Sequence, residues 1–317
     1  MIMHKSPWRR IAITVTAMLV VLLIAASYRF VASRGVFASV EDKTPASCRA
    51  VAGIAGVRDI AIDGAGIAYL AANDGLYVFD GSAAKRLAGT PKNFDPAALA
   101  IGADGAFTVL FRQEGLWEVS VFGAPAPGQV KEMGRLSADV ITDPAGLAVI
   151  PAGRFYFVNK HSTRTAFGRW LDDAFLIPRA EVTWFDGMKF VPVAKRLTSP
   201  AGVAASPDLG HLYVAQELPR NIVSFTRNDF TGALSDASLF DLHAAPTKIT
   251  VAKDGSLIVA AWPKQGAGAV YRVHIANGLP QSADLLYSSK TESVTAAAQA
   301  NGHLLIGSDK KLLDCKL

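Results

Sequence analysis

ITVAKDGSLIVAAWPKQGAGAVYRV, residues 249–273, decides the fold: alternating apolar residues run into an Asp-Gly turn, and a second apolar strand leads back. Period-two alternation marks a strand with two distinct faces, and Asp-Gly suits a tight hairpin because Gly accepts positive φ. The same rhythm recurs in IAIDGAGIAYLAANDGLYVFDG (60–81), LAIGADGAFTVLFRQEGLWEVS (99–120) and GVAASPDLGHLYVAQELPRNIVSF (202–225). Six such units begin near Ile60, Leu99, Leu147, Gly202, Ile249 and Val294, at spacings of 39, 48, 55, 47 and 45 residues. That period is the size of a four-stranded blade. The chain is therefore expected to be all-β, a six-bladed β-propeller over residues 48–317, with chemistry placed where loops converge on the central channel. Asp104–Gly105, Asp254–Gly255 and Asn301–Gly302 are read as hairpin turns.

Half the residues are apolar and 19% are charged, which excludes an extended disordered chain. The formal charge of +5 resides at the N-terminus. Lys5, Arg9, Arg10, Arg29 and Arg34 are five of the 32 basic residues, and no acidic residue precedes position 35, so 27 basic and 27 acidic residues remain. A nucleic-acid footprint needs concentrated positive charge and is not expected. The five cations flank IAITVTAMLVVLLIAASY, residues 11–28, which carries no formal charge. With a snorkelling Arg29, residues 11–32 are long enough for a transmembrane anchor. Residues 1–10 form a basic segment that favours a cytoplasmic N-terminus. The remainder would be exported, on the periplasmic or extracytoplasmic side of a bacterial inner membrane. SRGVFAS, residues 33–39, also offers small residues for cleavage, and a cleaved signal peptide with a secreted domain is the rival reading. Residues 33–47 read as a stalk.

Cys48 and Cys315 are the two cysteines, one at each end of the folded region. In an exported chain they suit a long-range disulfide holding the first and last blades together; two unrelated buried thiols are the alternative. The third unit is irregular. Residues 164–177 form either a short amphipathic helix or an ordered loop, a candidate lid whose Phe167, Trp170 and Phe175 are expected to pack onto the propeller. There is no G-x-S-x-G, His-Glu-x-x-His, P-loop or dinucleotide-binding motif. His211 and His303 follow turn glycines and read as hairpin residues, whereas His161 follows an apolar strand beside Asn159 and Lys160.

Four segments resemble the paraoxonase/arylesterase family: CRAVAGIAGVRDIAI (48–62), FYFVNKH (155–161), SPAGVAASPDLGHLYVAQELPRNIVSF (199–225) and GHLLIGSDKKLLDCKL (302–317). The resemblance implies a six-bladed propeller, a bridge between Cys48 and Cys315, membrane association through a retained N-terminal segment, and calcium-dependent hydrolysis of lactones, aryl esters and phosphotriesters. Calcium needs several oxygen ligands, so the site can be compared residue by residue. The family's Glu-Asp pair is Arg58 and Asp59 here. Its Asn-Asp-His run is Asn159, Lys160 and His161. Its channel Asn falls on Ala201, the Asp-Asn of the fifth blade on Thr247 and Lys248, and a second-blade histidine on Ala97.

These departures replace carboxylates and amides by cations or alkyl groups. Arg58, Lys160 and Lys248 beside Asp59 would make a cationic channel in which a lysine ammonium takes the electrostatic place of the ion, so no metal ligands and no cofactor are expected. Two functions follow. In a hydrolase for lactones or esters, Asp59 would orient or deprotonate water, Lys160 or Lys248 would stabilise an oxyanion, and His161 would move a proton, with Asn159 retained beside them. A non-catalytic propeller would instead use Arg58, Lys160 and Lys248 to bind a small anion or a protein partner. The bland counterpart of both is an internal ion network that plugs the channel.

Overall fold

The computed structural model describes residues 7–36, 38–45, 47–91, 94–124 and 126–317, with the side chains of Pro7, Arg9 and Arg10 outside the description. Most of the basic segment 1–10 therefore lies outside the described residues. Helix α1 (Pro7–Ser33) is followed by β1 (Cys48–Val51) and then by the blades in chain order. Blade 1 comprises β2 (Val57–Ile62), β3 (Ala68–Ala72), β4 (Gly75–Phe79) and β5 (Ala84–Arg86). Blade 2 comprises β6 (Asp95–Ile101), β7 (Phe107–Gln113), β8 (Leu116–Gly123) and β9 (Lys131–Ser137). Blade 3 has β10 (Pro144–Ile150), β11 (Arg154–Asn159), β12 (Ala180–Phe185) and β13 (Phe190–Leu197), with helix α2 (Ala166–Phe175) inserted after β11. Blade 4 has β14 (Pro200–Ala205), β15 (His211–Gln216), β16 (Asn221–Arg227) and β17 (Leu234–Asp241). Blade 5 has β18 (Ala245–Val251), β19 (Leu257–Trp262), β20 (Gly268–Ala276) and β21 (Leu279–Ser289). Blade 6 is β22 (Ala296–Ala300), β23 (His303–Gly307) and β24 (Leu312–Lys316), completed on its outer edge by β1.

This is a six-bladed β-propeller, each blade a four-stranded antiparallel sheet. Its inner strands are apolar on both faces because each blade is covered by a neighbour on either side, whereas outer strands such as β9 and β17 are largely exposed. In β15, Leu212 and Val214 pack towards blade 3, whereas Tyr213 and Ala215 pack towards blade 5. Six buried clusters, one between each adjacent pair of blades, close the ring in this way; blades 6 and 1 meet through Leu305 and Leu312 against Ile60 and Leu70. Each fully buried Leu or Ile contributes on the order of 1.5–3 kcal/mol. The Asp-Gly and Asn-Gly turns lie where the sequence places them, with Gly105, Gly255 and Gly302 at φ 76°, 83° and 76°.

Cys48 and Cys315 are bonded and directly opposite in the β1–β24 ladder. The bridge thus lies within blade 6, locking the N-terminal strand onto the C-terminal one, rather than linking two separate blades. The stretch read as a stalk runs along blade 5: Lys43 exchanges backbone hydrogen bonds with Ser288 (2.9 and 2.8 Å), and Asp42 accepts from Lys290 N at 2.8 Å.

Residues 11–33 of α1 are long and apolar enough to cross a membrane. The helix stops at Gly35, whose φ of 65° suits glycine and whose Cα lies so close to Pro263 that a Cβ would stand 2.1 Å from that carbonyl oxygen. Residues 164–177 do contain a helix. Its aromatic residues do not pack onto the propeller as expected: Phe167, Trp170 and Phe175 are 69%, 56% and 50% exposed. The reason is polar. Asp172 and Asp173 turn inward to charged partners, so the aromatic face is left outside.

Candidate functional site in the channel and at its mouth

The channel strands of blades 1 to 5 share one irregularity. Each skips a residue in its pairing with the next strand, at Arg58, Ala97, Ala145, Ala201 and Thr247. Such bulges remove a residue from the ladder and re-aim its polar groups. Asp59 and Lys248 occupy equivalent places, immediately after the bulge in blades 1 and 5. The channel strands also approach closely here: a Cβ on Gly146 would meet Val203 N at 2.7 Å, and one on Gly202 would meet Ile249 N at 3.0 Å.

The Lys248 ammonium is buried and donates to Ala97 O at 2.7 Å, to Ala145 O and, more distantly, to Asp59 Oδ2 at 3.4 Å. One side chain from blade 5 therefore reaches blades 1, 2 and 3. Asp59, also buried, accepts from Ile60 N at 2.9 Å through Oδ1 and from Leu99 N at 3.0 Å through Oδ2. Two backbone amides and the ammonium hold its charge, which burial without partners would make costly.

A second group gathers at the end of β11. His161 is buried, with Nδ1 at 2.6 Å from Asp143 Oδ2 and Nε2 at 2.9 Å from Asp173 Oδ1 of α2. Burial opposes its charge, but the two carboxylates outweigh burial and raise its pKa to about 9. The ring is an imidazolium at neutral pH, donating from both nitrogens. Burial pushes the Asp173 carboxyl up, and the bond from His161 turns the balance downward. Asn159 is buried and accepts from Thr142 N and Asp143 N (3.1 and 3.2 Å) while donating to Val140 O at 2.8 Å. It fastens the link between blades 2 and 3. Lys160 pairs with Glu217 of blade 4 at 2.6 Å.

The expected site residues thus divide. Asp59 and Lys248 meet in the channel, Asn159 and His161 meet at its mouth, and no hydrogen bond or ion pair joins the two groups among the described residues. Lys160 turns to Glu217, and Arg58 turns outward to Asn73 Oδ1 (2.7 Å) and Asp309 (3.4 Å). The residues around Asp59 do not fit calcium. Its single carboxylate faces an ammonium that already occupies the two inward carbonyls, and no three His, Cys, Asp or Glu side chains converge on a metal-sized gap among the described residues.

Sequence reasoning missed Ala145, Asp143, Asp173 and Glu217. A signal existed for the first: Pro96-Ala97, Pro144-Ala145, Pro200-Ala201 and Pro246-Thr247 repeat at the bulges, aligning Lys248 with the other channel strands. The carboxylates around His161 and Lys160 come from 12, 18 and 57 residues away and carry no local pattern.

A protein-family model described as Arylesterase matches residues 135–317. The comparison with curated proteins finds no significant match. Among solved structures, a gluconolactonase from Xanthomonas campestris superposes with a TM-score of 0.60 at 18% identity, over 85% of this chain and 89% of its own. The periplasmic gluconolactonase of Pseudomonas aeruginosa gives 0.53 at 14% identity, over 84% and 87%. A chain of a nidogen/laminin complex gives 0.51 at 14%, over 78% and 84%. At these identities the likeness establishes the fold.

Proposed function

The chain belongs to the arylesterase family, and from that premise we propose that its propeller hydrolyses lactones or esters at a channel site that works without calcium. Membership supports a lactone or ester hydrolase at the level of the family, and the gluconolactonase neighbours share the architecture. The finer reading rests on one observation, the Lys248 ammonium seated between Asp59, Ala97 O and Ala145 O. Two of its N–H groups are tied to carbonyls. The third, 3.4 Å from Asp59, is the weakest bond and the one the site can lend to a substrate carbonyl oxygen as negative charge develops there. A carboxylate offers about four acceptor positions. Asp59 uses three, and the fourth would orient the attacking water. Lys160 and His161, tied to their own partners, are assigned to the frame of the mouth. The Cys48–Cys315 bridge and α1 support an exported, anchored domain, with the N-terminus on the cytoplasmic side.

A second reading, a non-catalytic propeller that binds a small anion or a protein partner, is favoured by a separate observation. Asp59 and both nitrogens of His161 already have protein partners, and a protonated His161 is no base at neutral pH. The nidogen/laminin chain shows the same fold in a complex of a different kind.

The deciding experiment measures calcium content and turnover of a lactone and aryl-ester panel on the full chain in detergent, with and without chelator. Chelator-resistant turnover that falls at least ~100-fold in Lys248→Met is expected, the loss of one charge-stabilising donor being worth that much. Turnover abolished by chelator and restored by calcium would overturn the metal-free site. A silent panel would transfer the assignment to the second reading.

A further inference from the structure

Beside the mouth, the β7–β8 turn of blade 2, the link from blade 2 to blade 3 and the first turn of α2 enclose a cleft of about 760 Å³. Ligand pockets commonly span roughly 300–1,000 Å³. Three guanidiniums line it, Arg112, Arg164 and Arg169, against two carboxylates, Asp139 and Asp143. Arg164 is satisfied by Asp139, through Oδ1 at 3.0 Å and the carbonyl at 2.8 Å. Arg169 is held by Thr163 O at 3.1 Å, Thr142 O at 3.3 Å and Asp143 at 3.4 Å. Arg112 differs. It has no carboxylate partner among the described residues; Nε donates to Gly115 O at 3.3 Å, and the guanidinium lies 5.8 Å from the centre of the Trp117 ring.

We propose that this cleft binds a small organic carboxylate whose flat or alicyclic body rests on Trp117. The free fork of Arg112 matches a carboxylate in two-point geometry, whereas a lysine would offer only a point charge. Trp117 and Leu116 supply apolar surface for the body. The cleft carries one net positive charge, so a monoanion balances it. A phosphate or a polyanion would add uncompensated charge against Asp139 and Asp143. The inference goes beyond hydrolysis and is measured by binding alone, although the hydroxycarboxylate left by lactone ring opening belongs to the same chemical class.

Isothermal titration of the full chain in detergent with benzoate, 6-hydroxyhexanoate and the neutral, non-hydrolysable ketone acetophenone tests it. Both carboxylates are expected to bind, more weakly as salt rises, and acetophenone is not. Arg112→Gln, at an exposed position, is expected to keep the wild-type melting temperature and weaken binding at least about tenfold, the effect of one charge-assisted pair. Asp139→Asn is expected to strengthen binding by releasing Arg164. No heat from either carboxylate up to about 20 mM, a concentration that detects even weak affinity, would overturn the proposal. So would acetophenone binding as tightly as benzoate, or an Arg112→Gln protein that binds like wild type. Absence of lactone turnover would leave this result untouched.

Discussion

Taking an ammonium and a carboxylate out of water costs several kcal/mol per ion before any contact is counted. Lys248 and Asp59 offset that cost with two carbonyls and two backbone amides, an arrangement in which each member depends on the rest. Lys248→Met leaves Asp59 charged, buried and facing two inward carbonyls. A loss of about 3–5 kcal/mol is expected, read as a fall in apparent melting temperature on the order of 10 °C. Lys248→Ala should lose as much but open a space walled by one carboxylate and two carbonyl oxygens. Methylammonium or calcium at millimolar concentration is expected to restore part of its melting temperature and leave wild type unmoved; the bulkier tetramethylammonium should restore nothing. If Lys248→Ala melts like wild type, the ammonium is not the tie between blades. Adding Asp59→Asn to Lys248→Met should recover stability, and strict additivity of the two losses would count against the charge pairing.

Strands and turns were readable from the sequence because alternation and Asp-Gly pairs are local, and all six expected starts fall in or just before the channel strands. The site was readable only in part. Asp59 and Lys248 followed from the resemblance, but a backbone carbonyl such as that of Ala145 leaves no side-chain signal, and its bulge is marked only by the proline before it. The aromatic face of α2 shows the same limit. The sequence left residues 164–177 open between a helix and an ordered loop, and the inward turn of Asp172 and Asp173 depends on His161 and Arg179, which only the folded chain brings near. The His161 clamp carries its own prediction. Asp143 and Asp173 touch the ring, Arg169 touches Asp143, and Lys160 and Arg34 act on Asp173. The folded state raises the pKa of His161 from 6.5 to about 9. Its stabilising contribution is complete below 6.5 and is lost as pH rises through about 9. Hydrogen exchange in residues 166–175, corrected for the intrinsic base-catalysed rate, should therefore rise between pH 7 and 10 while the blade strands stay protected. His161→Asn should show the fast exchange at every pH. A corrected rate that stays flat across this range would mean that α2 is held by something else.

A propeller is a ring, and its weakest place is where the two ends of the chain meet. Here β1 completes blade 6, and three polar ties reinforce the ladder: the Cys48–Cys315 bond, the Arg49–Asp314 pair at 2.9 Å and the His303–Asp314 contact at 2.7 Å, with Asp314 buried between them. The disulfide spans 267 residues of sequence. In the chain-entropy description a loop of that length is worth about 5.6 kcal/mol, and measured gains commonly fall below that figure. Cys48→Ser with Cys315→Ser should accordingly remain folded at 25 °C, because the ladder and the Arg49 pair survive, but its apparent melting temperature should fall on the order of 10 °C. The same bond reports where the domain resides. The segment between α1 and β1 is laid along blade 5 through Lys43 and Ser288, so the apolar helix α1 and the closing strand are joined by a docked connection. If α1 delivers the propeller across the membrane, Cys48 and Cys315 of the full chain should resist alkylation in a bacterial host with its periplasmic thiol oxidase. Both should become reactive in a host lacking that enzyme. Free thiols in the oxidase-proficient host would place the domain in the reducing cytoplasm and remove the support that the bridge lends to export.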